Sequence, residues 1–340
     1  VATVNGTSRL SLPMCFVLCL ILFAGCGSGS ERAGSSGRKQ ITIAVSPLLG
    51  SAAIYIAHEK GYFKDEGLDA ALQIHPSGQL SLCAVLSGKA DFAAVAETPI
   101  AYAAVGGKPF AVVATISQIE RGTLIVARKD RGISKTSDLK GKRIGVAPGT
   151  TGDFFLHIYL ATSYINSKEI RRVDLPSEAV VSALLAGDVD AVSTWAPQTT
   201  ALEDKLGGNA VVLDEPGLYV LTWNLVVAKD LTRDDPDAIV RALRAIVRAN
   251  RFIAEQPVEA RAVTARNMGS PVAAVEREWA DSKPMAVLNQ SLILQLEDEA
   301  RWILERSATG QEVPNFLDFI DAKGLKTVVP DAVQIVERRE

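Results

Sequence analysis

Residues Lys142–Leu156 read KRIGVAPGTTGDFFL, and the reading of this stretch decides the fold. Lys142 to Val146 predicts a short β-strand and Pro148-Gly149-Thr150-Thr151-Gly152 a turn. Asp153 onward predicts a helix carrying Phe154, Phe155, Ile158 and Tyr159. A Gly/Thr-rich turn between a strand and a helix points free backbone N–H groups and hydroxyls at one spot. The helix dipole adds about half a positive charge there, so the turn suits a small anionic or polar ligand. Asp153 is placed to cap the helix by accepting from N–H groups further along it. The alternative is an ordinary tight strand-to-helix turn with no ligand.

A second copy of the pattern favours the ligand reading. Ile43-Ala44-Val45-Ser46-Pro47 resembles Ile144-Gly145-Val146-Ala147-Pro148, and small residues and a helix follow each. At nearly the same spacing downstream, Leu86-Ser87-Gly88-Lys89-Ala90-Asp91 resembles Leu185-Ala186-Gly187-Asp188-Val189-Asp190. Two widely spaced copies do not make a solenoid. They predict two similar lobes facing each other across a cleft.

The chain has 340 residues, 48% of them apolar, which is enough for two real cores. A net charge of −3 with both signs mixed, and no basic run, gives no sign of a nucleic-acid partner. Arg9 precedes an apolar run, Leu10 to Ala24, too short to span a bilayer comfortably and similar to a signal-peptide core. Leu22-Phe23-Ala24-Gly25-Cys26 resembles a bacterial lipobox with Phe23 in place of the usual Leu. The expectation is therefore a lipoprotein signal over 1–26, a lipid anchor on Cys26 and a flexible tether over 27–38. That tether reaches roughly 20 Å, which would hold the protein at the outer face of a membrane, in the periplasm or at the cell surface. Secretion by an ordinary signal and a transmembrane anchor are the alternatives. Cys15 and Cys19 would leave with the signal, so Cys83 stands alone in an apolar helical pattern and is expected to be a buried structural thiol.

Apolar strands alternate with helices along the rest of the chain, which predicts α/β architecture with a mostly parallel sheet in each lobe. Strands are expected at Gln40–Val45, before Ile74, and at Asp91–Val95, Phe110–Ile116 and Thr123–Arg128. Helices are expected at Ser51–Lys60, Gln79–Ser87 and from Glu97. Leu124–Asp130 and Leu225–Asp230 are look-alike segments read as the two crossings between lobes. They assign 39–126 plus 226–340 to the first lobe and 127–225 to the second. Helices over Asp237–Ala254, Pro257–Asn267, Pro271–Asp281, Gln290–Ser307 and Phe316–Lys323 are expected to pack back on the first lobe. In the first of these, Arg241, Arg244, Arg248 and Arg251 read as a solvated face.

The catalytic inventory is poor. His58, His75 and His157 are scattered, and there is no HExxH, Cys/His metal spacing, GxSxG elbow or P-loop. No metal, cofactor or enzymatic role is expected. Binding chemistry is better supplied, because ligands of open α/β sheets sit outside the carboxyl ends of the strands. The candidate cleft residues are Ser46, Ser51, Ser77, Gln79, Glu97, Thr98, Thr150, Thr151, Asp153, Trp195, Trp223 and Asn224. Hydroxyls at helix starts also serve as caps, and Trp195 could equally be a core residue.

Several motifs resemble the nitrate/sulfonate/taurine solute-binding family of ABC importers. They are Ala57-His58-Glu59-Lys60-Gly61-Tyr62-Phe63 with Glu66-Gly67-Leu68, Leu86 to Asp91, Asp138-Leu139-Lys140-Gly141-Lys142-Arg143-Ile144-Gly145-Val146, and Asp190-Ala191-Val192 leading to Trp195 and Pro197. The likeness covers nearly all of residues 40–330. It implies a two-lobed type II periplasmic-binding fold with two hinge crossings. It also implies a monomer that closes on a small solute and hands it to a membrane permease. Members of that family take nitrate, bicarbonate, alkanesulfonates, taurine, aromatic acids or pyrimidine precursors of thiamine. Glu97 and Asp153, if exposed in the cleft, would favour an amine, which leans the reading to a zwitterionic aminosulfonate such as taurine. A ligand-sensing ectodomain of the same fold is one alternative. An enzyme resembling the menaquinone-pathway or thiamine-pyrimidine enzymes is the other, against which the export signal counts.

Overall fold

A computed structural model describes residues 37–307 and 310–336. The expected signal, Cys26 and nearly all of the tether lie outside the described residues. In chain order the elements begin with β1 (Lys39–Val45), α1 (Ala52–Glu59), α2 (Tyr62–Asp65), β2 (Leu68–Ile74), α3 (Gly78–Leu86), β3 (Phe92–Ala96), α4 (Glu97–Val105) and β4 (Phe110–Ile119). Next come β5 (Thr123–Arg128), β6 (Arg143–Val146), α5 (Thr151–Thr162), β7 (Arg171–Asp174), α6 (Val180–Ala186), β8 (Ala191–Trp195), α7 (Gln198–Leu206) and β9 (Ala210–Leu213). The chain continues through β10 (Leu221–Ala228), α8 (Leu231–Asp234), α9 (Pro236–Glu255), α10 (Pro257–Met268) and α11 (Val272–Trp279). It ends with β11 (Ser282–Asn289), α12 (Gln290–Ser307), α13 (Lys323–Val328) and β12 (Val333–Gln334).

The strands form a seven-stranded sheet, β12-β11-β4-β10-β3-β1-β2, and a five-stranded sheet, β7-β6-β8-β5-β9. The repeat seen in the sequence is a structural one, because β2-β1-β3-β10-β4 matches β7-β6-β8-β5-β9 strand for strand. Even the aspartates correspond. Asp91 Oδ2 accepts from the Thr42 amide at 2.7 Å, and Asp190 Oδ2 accepts from the Arg143 amide at 2.9 Å. Each ties the residue just before one strand to the parallel neighbour, Asp91 before β3 to β1 and Asp190 before β8 to β6.

The sheets are mixed rather than mostly parallel. β1 runs parallel to β2 and β3, and β6 parallel to β7 and β8, as expected. However, β10 is antiparallel to β3 and β4, and β5 is antiparallel to β8 and β9. Both strands arrive from the other sheet, so they enter against the direction set by the strand–helix–strand units. The crossings also lie earlier than the look-alike segments suggested. The chain leaves the larger sheet after Ile119 and joins the smaller at Thr123, then leaves after Leu213 and rejoins the larger at Leu221. Ile125–Ala127 and Leu225–Val227 are therefore strand interiors, buried and paired on both sides.

Helices α9 and α10 pack on the larger sheet's side against α1, as the apolar stripe predicts. In α9, Ile239, Leu243, Ile246 and Ile253 are buried, and Asp235 caps the start by accepting from the Ala238 amide at 3.0 Å. The arginine face is less free than expected, since the Arg248 guanidinium stacks 4.0 Å over the Tyr62 ring and pairs with Asp65 at 2.6 Å. Strand β11 has no counterpart in the sequence reading, because Pro284 and a short apolar run masked it. The expected helix at Phe316–Lys323 divides into a 3-10 turn at Phe316–Phe319 and α13. Cys83 is exposed, contrary to expectation. The buried face of α3 is Gly78, Ser81, Leu82, Ala84 and Val85, and the helical period turns position 83 outward. Among the described residues no helix is long and apolar enough to cross a membrane.

Candidate functional site

Helix α5 starts where β6 ends, at the carboxyl edge of the smaller sheet. Thr150 is its N-cap residue in extended conformation, and its side chain makes no cap hydrogen bond to the first-turn N–H groups, of which the Asp153 amide donates to the Thr150 carbonyl at 3.0 Å. The helix sits hard against β8. A Cβ on Gly152 would lie 2.7 Å from the Ser193 carbonyl, and the Ser193 hydroxyl donates to the Gly152 carbonyl at 2.7 Å. From the larger sheet, α3 begins at Ser77, whose Oγ accepts from the Leu80 amide at 3.4 Å.

These two helix starts border one cavity. It is lined from the larger sheet's side by Leu48, Gly50, Ser77, Gly78, Gln79, Ala96, Pro99, Ile119, Leu221 and Trp223, and from the smaller sheet's side by Thr150, Thr151 and Trp195. Trp223 forms one wall. It is 3% exposed, and its indole N–H donates to Ser51 Oγ at 3.2 Å. Gly50 lets the ring in, because a Cβ there would lie 2.6 Å from Trp223 Cδ2. The free volume is about 50 Å³, room for only a few waters. A solute with more than a few heavy atoms therefore enters only if the lobes part or the tryptophans turn.

Six of the twelve candidate residues, Ser77, Gln79, Thr150, Thr151, Trp195 and Trp223, surround this cavity; the other six do not line it. Asn224 follows Trp223 in β10, and alternation along a strand sends it to the opposite face. There it accepts from the Thr115 hydroxyl at 2.7 Å and donates to Thr222 Oγ1 at 3.1 Å. Thr222 in turn donates to Glu97 Oε2 from its amide at 2.8 Å and its hydroxyl at 2.9 Å. Glu97 is fully buried, and burial pushes its carboxyl up to about 7 against the pull of its own amide and Thr222. Glu299 of α12, fully buried beside it, is raised by burial and by the Glu97 charge. Thr98 lies next to Glu299 in the same buried group. Ser46 is buried, with its carbonyl accepting from the Tyr55 hydroxyl at 2.5 Å and its own hydroxyl without a partner.

Asp153 does not cap α5 in the forward direction. Its carboxylate turns back, with Oδ2 accepting from the Gly149 amide at 3.1 Å and from Arg172 Nη2 at 3.1 Å, while Oδ1 accepts from Arg306 Nη1 at 2.9 Å. Burial would raise this carboxyl, but the hydrogen bonds and charge of Arg172, the Gly149 amide and Arg306 hold it below its usual value. Neither Glu97 nor Asp153 thus offers a charge to a ligand. Arg172 and Arg306 were absent from the sequence reading, because each meets Asp153 only through folding.

A second cavity of about 210 Å³ flanks the first, with charged walls of Arg121, Glu203, Arg277, Glu278 and Asp281. Its cations are already engaged, Arg277 with Asp204 at 2.8 Å and Arg121 with Asp214 at 2.7 Å. The smaller cavity has the better chemistry for an oxyanion. Two helix starts and hydroxyls face a wall of Leu, Ile, Pro and Trp, and its lining holds no His, Cys, Lys, Arg, Asp or Glu. No lining side chain is therefore a ready general base or ionised nucleophile.

Two repeated α/β lobes with a cleft between their strand ends define a solute-binding class of fold. The chain belongs to the NMT1/THI5-like family, whose model matches residues 50–260. It resembles the alkanesulfonate-binding protein SsuA from Xanthomonas axonopodis pv. citri, solved bound to MOPS, with a TM-score of 0.73 and 20% identity over 85% of this chain and all of that one. A Bacillus subtilis protein named for binding aliphatic sulfonates is 27% identical over 238 residues, 68% of this chain and 71% of that protein. The 4-amino-5-hydroxymethyl-2-methylpyrimidine phosphate synthase of Aspergillus parasiticus is 29% identical over 230 residues, 62% of this chain and 64% of that enzyme.

Proposed function

We propose that this chain is the extracytoplasmic solute-binding component of an ABC importer and holds an organic oxyanion, of which an alkanesulfonate is the best match, between its lobes. One observation carries the reading. The cavity where the two lobes meet joins the N-terminal turns of α3 and α5 to an apolar wall with two tryptophans. An oxyanion head suits the N–H groups and hydroxyls, and an alkyl or aryl group suits Trp223, Trp195, Leu221 and Ile119. The family membership and the sulfonate-binding relative support the same class. A bare nitrate would leave the wall unused. The amine of taurine would find no carboxylate in the lining, which turns the reading from a zwitterion to a plain organic anion. Binding would favour the closed arrangement, because only there do both lobes touch the solute. Delivery to a permease, and lipid anchoring through Cys26, belong to the same proposal.

An enzyme on this fold is the second reading, favoured by the Aspergillus relative. The uncharged cavity lining counts against it.

A thermal-shift screen tests the proposal against nitrate, bicarbonate, taurine, butane-1-sulfonate, MOPS, aromatic acids and thiamine pyrimidines. A true ligand at a hundred times its dissociation constant stabilises the fold by about 2.7 kcal/mol. A sulfonate hit supports the reading; a pyrimidine hit with no sulfonate response would overturn it.

A further inference from the structure

Asp153 is held by two arginines that differ in origin. Arg172 stands on β7, in the smaller sheet against which α5, the helix that carries Asp153, packs. Arg306 comes from the last turn of α12, which packs along α4 of the other lobe. Near this link Trp302 of α12 stands edge-on to Phe154 of α5, ring centroids 5.3 Å apart, and edge-on to Tyr102 of α4 at 6.0 Å. The Arg306 guanidinium lies 4.9 Å over the Trp302 ring. A Cβ on Gly149 would lie 3.6 Å from Gln79 Nε2 and 3.7 Å from the Tyr102 ring, so the turn itself rests on the larger sheet's lobe.

The Arg306–Asp153 bond therefore spans the lobes, whereas the Arg172–Asp153 bond lies within one. If the lobes part, Arg306 must let go and Arg172 need not. Asp153, with its side chain 1% exposed, would then still have a cation, so opening leaves no buried charge stranded. The half-exposed Arg306 gains water instead. From Asp153 the link runs on to the Gly149 amide, inside the turn whose Thr150 and Thr151 line the cavity.

We propose that Arg306 is a positioning residue: through Asp153 it fixes the Pro148–Thr151 turn when the lobes are together, and its release loosens that turn as they open. The inference rests on the proposed solute site for its meaning in binding, but the contact itself is testable without any solute. Arg306 does not touch the cavity. It sets how often the turn is ready.

The test is hydrogen–deuterium exchange and small-angle scattering on ligand-free wild type, Arg306→Gln and Arg306→Lys. Arg306→Gln is expected to speed exchange over 147–153 and enlarge the particle while β3 and α4 keep wild-type rates. Arg306→Lys, which retains a cation, is expected to restore most of the protection. Unchanged exchange over 147–153 in Arg306→Gln, or equal acceleration across the whole chain, would overturn the proposal. Calorimetry with butane-1-sulfonate adds a functional reading: Arg306→Gln is expected to bind at least about fivefold more weakly, mainly through faster dissociation. Wild type that ignores butane-1-sulfonate would count against the solute assignment alone, because the exchange experiment judges Arg306 independently.

Discussion

The two equivalent strand-to-helix turns, Ser46–Ser51 after β1 and Ala147–Thr151 after β6, are built from the same repeat and do different work. The first is plugged. Leu48 and Gly50 lie against Trp223, and the Ser46 hydroxyl is buried without a partner. The second is small and polar, presents Thr150 and Thr151, and is tied from beneath by Asp153 and two arginines. Duplication of a unit thus fixes where a cleft lies, while divergence of the turns decides which wall is apolar and which is polar.

The largest effect should come from removing the tie beneath the second turn. Asp153→Ala is expected to lower unfolding free energy by about 3 kcal/mol in urea titrations, because it unties the Gly149 amide, takes Arg306's acid away and leaves partly buried Arg172 with Asp174 alone. A loss below about 1 kcal/mol would mean that the tie is ornamental.

The buried acids should separate the lobes by pH. Glu97 is raised to about 7, so the stability that its protonated form contributes is full below pH 4.5 and is lost as pH rises toward about 7. Asp153 is lowered, so its contribution is present above its ordinary value of 3.8 and is lost as pH falls through the folded value. Thermal midpoints followed across pH should decline on both sides. Glu97→Gln should shrink the neutral-side decline, with Glu299 and Glu278, which burial also raises, supplying what remains, and leave the acid side unchanged.

Gly50→Ala should cost about 1–3 kcal/mol, since the new methyl overlaps the Trp223 ring. In the second turn, where the glycine stands at a different position, Gly149→Ala should cost about 1–2 kcal/mol, from the left-handed backbone at φ 73° rather than from collision. Equal recovery of both by Trp223→Leu would break the distinction. Smallest of all, Ser46→Ala should be neutral or slightly stabilising, as it deletes a buried hydroxyl that makes no hydrogen bond.

Much of this architecture was legible in the sequence. The repeated Ile-x-Val-x-Pro and Leu-x-Gly-x-x-Asp patterns marked equivalent strands, and Thr150, Thr151, Ser77 and the tryptophans fell where strand ends converge. What escaped reading was long-range. The reversed direction of β5 and β10 depends on the chain changing sheets, which apolar runs do not encode. Asn224 was separated from Trp223 only by the two-residue period of a strand. Glu97 and Asp153 looked like cleft acids because nothing local reveals Thr222, Arg172 or Arg306 as their partners.

Calorimetric titration of butane-1-sulfonate into wild type and into a Thr150→Ala/Thr151→Ala variant tests the central claim most directly. The expected result is a single site in wild type, much weakened in the variant while its urea midpoint stays close to that of wild type. Binding of undiminished strength in the variant would contradict a solute held at the start of α5 between the two lobes.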